Sequence, residues 1–121
     1  VDNTTQRARV IASLKSRVLR WLAEMKQIGA ERLIFVTNET RLSRVNVCAA
    51  CPQNHPLPGG CSACKAAVAE LRKTILGKRP VDGRLNACAI LGEDLSCAVS
   101  FEQAAVDNPG LPPQCWRKKT I

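Results

Sequence analysis

The chain has no tyrosine, one histidine, one methionine, and only two tryptophans and two phenylalanines in 121 residues. A core of this size must therefore be assembled mainly from Ala, Val, Leu and Ile. Small cores of that kind are commonly supplemented by metal or disulfides. The scarcity of aromatics among the basic residues also removes the stacking platform on which single-strand nucleic-acid binders rely. Because His55 is the sole imidazole, Ser-His-Asp or Cys-His catalysis would have to run through it, and it lies in a Pro- and Gly-rich turn. No run approaches the roughly 18 apolar residues of a membrane span, and the N-terminus lacks the basic-then-apolar pattern of a signal peptide. The expectation is a soluble protein, neither membrane-embedded nor secreted by a signal peptide.

Other absences bear on catalysis. No phosphate-binding glycine loop is present, and Glu93-Asp94 reads as an ordinary turn pair. The His-x-Glu and Pro-Cys-x-x-Cys pattern of zinc deaminases is missing. A thioredoxin-like role for a Cys-x-x-Cys step needs a strand–helix–strand context that the sequence does not offer. The chain reads as a non-enzyme.

Cysteine, by contrast, is plentiful, with seven. Cys48-Ala-Ala-Cys51 and Cys61-Ser-Ala-Cys64 form two Cys-x-x-Cys steps separated by a rigid reversal over residues 52–60. Each step can bend round one ion, and two supply the tetrahedron that structural zinc prefers. The odd cysteine count weighs against a fully paired disulfide scaffold. An iron–sulfur cluster would also accept four cysteines, but the bacterial run of closely spaced Cys is absent, so zinc is favoured. His55, Cys88, Cys97 and Cys115 form a second candidate set, since three thiolates and an imidazole are an accepted zinc shell. Packing as small buried hydrophobes is the alternative for those three cysteines.

The formal charge is +8, falling to about +6 if four thiolates hold one Zn²⁺. The excess is spread along the chain, which permits contact with nucleic acid or an acidic surface without demanding either.

The clearest regular element is a helix over 7–28. Ile11, Leu14, Val18, Trp21, Leu22, Met25 and Ile28 recur at three- and four-residue steps, and Gly29 is placed to end it. Its stripe, from Ile11 to Met25, is the candidate for docking on a partner or on a second copy of the chain. Residues 32–36 read as a short extended stretch. Thr37–Thr40 offer capping chemistry for a short helix that delivers the chain to Cys48. A further helix is expected from Ser62 to Leu76 ahead of Gly77, with Cys64 in its first turn, where the helix dipole favours a thiolate. Residues 101–107 suggest another short helix.

Val36-Thr37-x-Glu39, Arg44, Cys48-x-x-Cys51-Pro52-x-Asn54, Gly60-Cys61-x-x-Cys64 and Pro113-x-Cys115-Trp116 together resemble a group of small cysteine-rich proteins of tailed bacteriophages and prophages. The resemblance covers residues 36–64 best and the C-terminus weakly. It departs at Leu85-Asn86-Ala87-Cys88, where a wide gap to Cys97 replaces a tight cysteine cluster. It implies a phage-encoded, zinc-binding, non-enzymatic protein, located in the virion or host cytoplasm.

The expected fold is an α-rich small zinc-binding domain with few short strands, divided into an N-terminal amphipathic helix (1–31) and a cysteine-rich domain (32–121). The expected role is a structural or protein-interaction component, a minor virion protein (tail, neck or capsid-associated) whose partners are other proteins of the assembly or copies of itself. A nucleic-acid-binding zinc-ribbon-like protein is the second choice.

Overall fold

The computed structural model describes residues 3–57 and 62–119, the side chains of 3–13 and 30 excepted. The chain is mostly helical. Helix α1 spans Asn3–Ile28, α2 Asn38–Ala49, α3 Ser62–Leu76 and the single-turn α4 Leu95–Ala98, with a 3-10 turn at Ala30–Arg32. Two short strands, β1 (Asn54–His55) and β2 (Ala87–Cys88), pair antiparallel, with Asn54 opposite Cys88. Among the described residues no helix is long and apolar enough to cross a membrane.

Local chemistry sets most of these boundaries. Gly29 closes α1 at φ 80°, its N–H donating to the Met25 carbonyl at 3.2 Å, the left-handed closure that lacks a Cβ penalty. Thr37 caps α2, its hydroxyl accepting from the Thr40 N–H at 3.2 Å. The buried Asp94 caps α4 by accepting from the Cys97 N–H, and its carboxylate also receives a two-pronged ion pair from Arg72 at 2.9 and 2.7 Å.

The core has two parts. In the larger, Leu14, Val18, Trp21, Leu22 and Met25 of α1 meet Cys64, Val68, Leu71, Ile75 and Leu76 of α3, with Cys97 and Phe101 alongside. Full burial of such aliphatic side chains contributes about 1.5–3 kcal/mol each. The stripe expected to dock a partner is thus turned inward, from Leu14 to Met25, onto α3; the Ile11 side chain lies outside the described residues. By the same packing, α1 shares one core with α3, Cys97 and Phe101.

The smaller part comprises Val45 and Cys48 of α2 with Leu85, Cys88, Leu95 and Val99, flanked by Trp116. The helix expected at 101–107 does not form. Phe101 bridges Phe35 and Val106 bridges Lys118, so pairing to distant chain takes the backbone groups that a short, marginal helix would need. The extended stretch expected at 32–36 survives as that Phe35 bridge, supported by the Val36 N–H donating to Ser100 O and the Glu102 N–H donating to Ile34 O.

A candidate metal centre of four cysteines

Helix α2 carries Cys48 in its last turn and releases the chain at Cys51, whose N–H donates to the Cys48 carbonyl at 3.1 Å. The chain then reverses. The Asn54 N–H donates to Cys51 O at 3.1 Å, and the Asn54 side chain ties this turn to the segment before Cys88: Nδ2 donates to Arg84 O and Oδ1 accepts from the Asn86 N–H, both at 2.8 Å. The Ala89 N–H donates to Gln53 O at 2.8 Å. These bonds hold Cys51 and Cys88 side by side.

Cys88 opens its own tight turn. The Gly92 N–H donates to Cys88 O at 2.7 Å, with Gly92 at φ 74°. A Cβ at Gly92 would lie 2.5 Å from the backbone of Arg17, so only glycine lets this turn sit against α1. Arg17 Nη1 also donates to Ala89 O at 2.7 Å.

The C-terminal segment supplies the last member. Cys115 N–H donates to Pro112 O at 3.0 Å, and Trp116 lays its ring beneath the Arg44 guanidinium, 4.4 Å from the centroid. The indole Nε1–H donates to the Cys48 sulfur at 3.2 Å. Arg117 pairs with the buried Glu93 at 2.8 Å. Burial raises the Glu93 carboxyl to about 6, against the pull of Arg117.

Cys48, Cys51, Cys88 and Cys115 thereby line one cavity of about 20 Å³, with Glu93 and Trp116 in its wall. That is the space one water-sized sphere needs. All four are free cysteines. Burial pushes the Cys48 thiol up to about 11, the Trp116 N–H opposes this, and the neighbouring Cys115, Cys51 and Cys88 raise it further. Burial likewise raises Cys88, against hydrogen bonds from the Leu91 and Ile90 backbone. The Gln53 N–H points at the Cys51 sulfur at 3.4 Å and the Leu91 N–H at the Cys88 sulfur at 3.5 Å. Among the described residues no three His, Cys, Asp or Glu side chains stand in coordinating geometry; the sulfurs line the cavity without closing on a common point.

The two sets expected from spacing are divided by this arrangement. Cys48 and Cys51 lie at the cavity, whereas Cys64 is fully buried in the α1–α3 core and disulfide-bonded, and Cys61 lies outside the described residues. Of the second set, Cys88 and Cys115 join the cavity. Cys97 is buried against α3, where burial and Asp94 raise its thiol. His55 is exposed, with Nδ1 2.7 Å from the Pro56 carbonyl.

Cys88 and Cys115 could not be matched to Cys48 and Cys51 by sequence proximity, because their meeting depends on the β1–β2 pairing and on the docking of Trp116. The available signals were Gly92 four residues after Cys88 and the Trp beside Cys115. No protein-family model, curated protein or solved structure matches this chain.

Proposed function

We propose that the protein is a non-catalytic structural and protein-interaction component, a minor part of a tailed-phage particle. At the cysteine cavity the non-catalytic reading is supported by size and lining: about 20 Å³ accommodates an ion but no organic substrate. The polar groups nearest it are engaged in holding chain segments together. Asn54 clamps two backbones, Arg117 pairs with Glu93, and Trp116 donates to Cys48.

The particle assignment rests on the motif resemblance, and several of its residues have structural work in this fold. Thr37 caps α2, Asn54 joins the Cys51 and Cys88 segments, and Trp116 anchors the C-terminal segment. Residues that serve architecture in this way suit a building component better than a catalyst.

Particles purified from a lysate of the phage or prophage that encodes this chain test the reading by quantitative mass spectrometry. The chain should be present at a fixed ratio to the major capsid protein across independent preparations. Its absence from intact particles, or retention on duplex DNA that falls steeply with salt as phosphate binding does, would overturn the assignment.

A further inference from the structure

We propose that Cys48, Cys51, Cys88 and Cys115 together bind one zinc ion, forming a four-thiolate structural site built from three separate stretches of chain. This goes beyond the component role above and stands independently of it.

Donor set, space and surroundings agree. Four sulfur donors match the closed tetrahedral shell of structural zinc, which leaves no position open for chemistry. The cavity of about 20 Å³ suits a single ion. Three of the four sulfurs receive an N–H, from Trp116, Gln53 and Leu91. Such outer-shell donors stabilise thiolate charge and fix the direction in which a ligand points.

Charge is partly offset locally as well. One Zn²⁺ with four thiolates carries a net −2, and Arg44 and Arg117 bring two guanidinium groups to the same wall over Trp116. Arg117 is shared with Glu93, which keeps that carboxylate occupied at the cavity's edge. Binding replaces four S–H protons by one Zn²⁺, the protons leaving to solvent, and draws the sulfurs inward to a common centre. The linkage also explains why a thin core suffices. The ion ties α2, the Cys88 turn and the C-terminal segment together at the smaller of the two hydrophobic clusters.

The test uses the full chain with zinc alone as the probe, in a phosphine reductant that does not bind metal. Native mass spectrometry should find one zinc per chain. Iodoacetamide footprinting should find Cys48, Cys51, Cys88 and Cys115 slowed by zinc and Cys97 unchanged. Cys88→Ser and Cys115→Ser should lose the ion, Cys97→Ser should keep it, and Trp116→Phe should weaken affinity about 10–100-fold, as losing an outer-shell donor does.

Where a serine variant fails to fold, the footprint of the unaltered chain decides alone. The proposal is overturned by no bound zinc, by iron in its place, by zinc protection that falls on Cys61 and Cys64 instead, or by a disulfide joining any two of the four. A chain without zinc could still be found in particles, so the two proposals fail separately.

Discussion

Gly92 tests the close contact that locks the Cys88 turn onto α1. Replacing it with Ala imposes two penalties. The residue sits at φ 74°, and placing an L side chain in that left-handed region costs about 1 kcal/mol. The new Cβ would then lie 2.5 Å from the backbone carbonyl of Arg17, in mid-helix, where no flexible side chain can yield. Moving a helix to relieve such overpacking costs about 1–3 kcal/mol more. Gly77 supplies the control: it ends α3 at φ 56° with nothing within 4 Å of a built Cβ, so Gly77→Ala should cost about 1 kcal/mol.

Urea denaturation followed by far-ultraviolet circular dichroism, at matched zinc and reductant, reads both differences from the same linear extrapolation. Gly92→Ala should be less stable than Gly77→Ala by about 1–3 kcal/mol. It should also lose the Arg17 contact to Ala89, visible as faster amide exchange in residues 88–92. Equal stabilities for the two variants would refute the reasoning, because they share the backbone penalty and differ only in the close approach.

Arg72→Met strands the Asp94 carboxylate, whose side chain is 3% exposed against 29% for the arginine. A loss of about 2–4 kcal/mol is expected, and a change under 0.5 kcal/mol in the same urea assay would contradict it. Asn54→Ala removes both clamps between the Cys51 turn and residues 84–86. It should cost about 1–3 kcal/mol and increase alkylation of Cys51 and Cys88; unchanged thiol reactivity would count against the clamp. The Asp82 carboxyl, hydrogen-bonded by Arg84, titrates at about 2 against an ordinary 3.8. Since the folded value is the lower one, its contribution is complete above the ordinary value and disappears as pH falls through about 2. Carboxyl NMR should show this depression shrink but not vanish in Arg84→Gln, whose backbone N–H still donates to Asp82, and an unshifted Asp82 in the original chain would refute it.

Helices were the most legible part of the sequence, because each carries its own periodicity and caps. The stripe from Leu14 to Met25, Thr37 before α2, and Gly29 and Gly77 at helix ends all act locally, and the structure places them as expected. What the stripe packs against was not legible. An apolar face says that it must be covered, not whether α3 or another chain covers it.

The cysteines illustrate the same limit more sharply. Neighbouring Cys-x-x-Cys steps invite pairing by proximity, yet α3 carries Cys64 into the main core while the β1–β2 ladder brings Cys88 to Cys51. Asn54 is recognisable in sequence only as part of a spacing pattern; its clamp exists once residues 84 and 86 arrive. Likewise, nothing local to residues 101–107 announces the bridges to Phe35 and Lys118 that keep them extended.

Zinc K-edge X-ray absorption on the zinc-loaded full chain tests the central claim most directly. Four sulfur neighbours at about 2.3 Å in the unaltered chain, with no zinc retained by Cys88→Ser or Cys115→Ser, is the predicted result. A shell containing nitrogen or oxygen in the unaltered chain, or a four-sulfur shell indifferent to Cys88→Ser and Cys115→Ser, would contradict it.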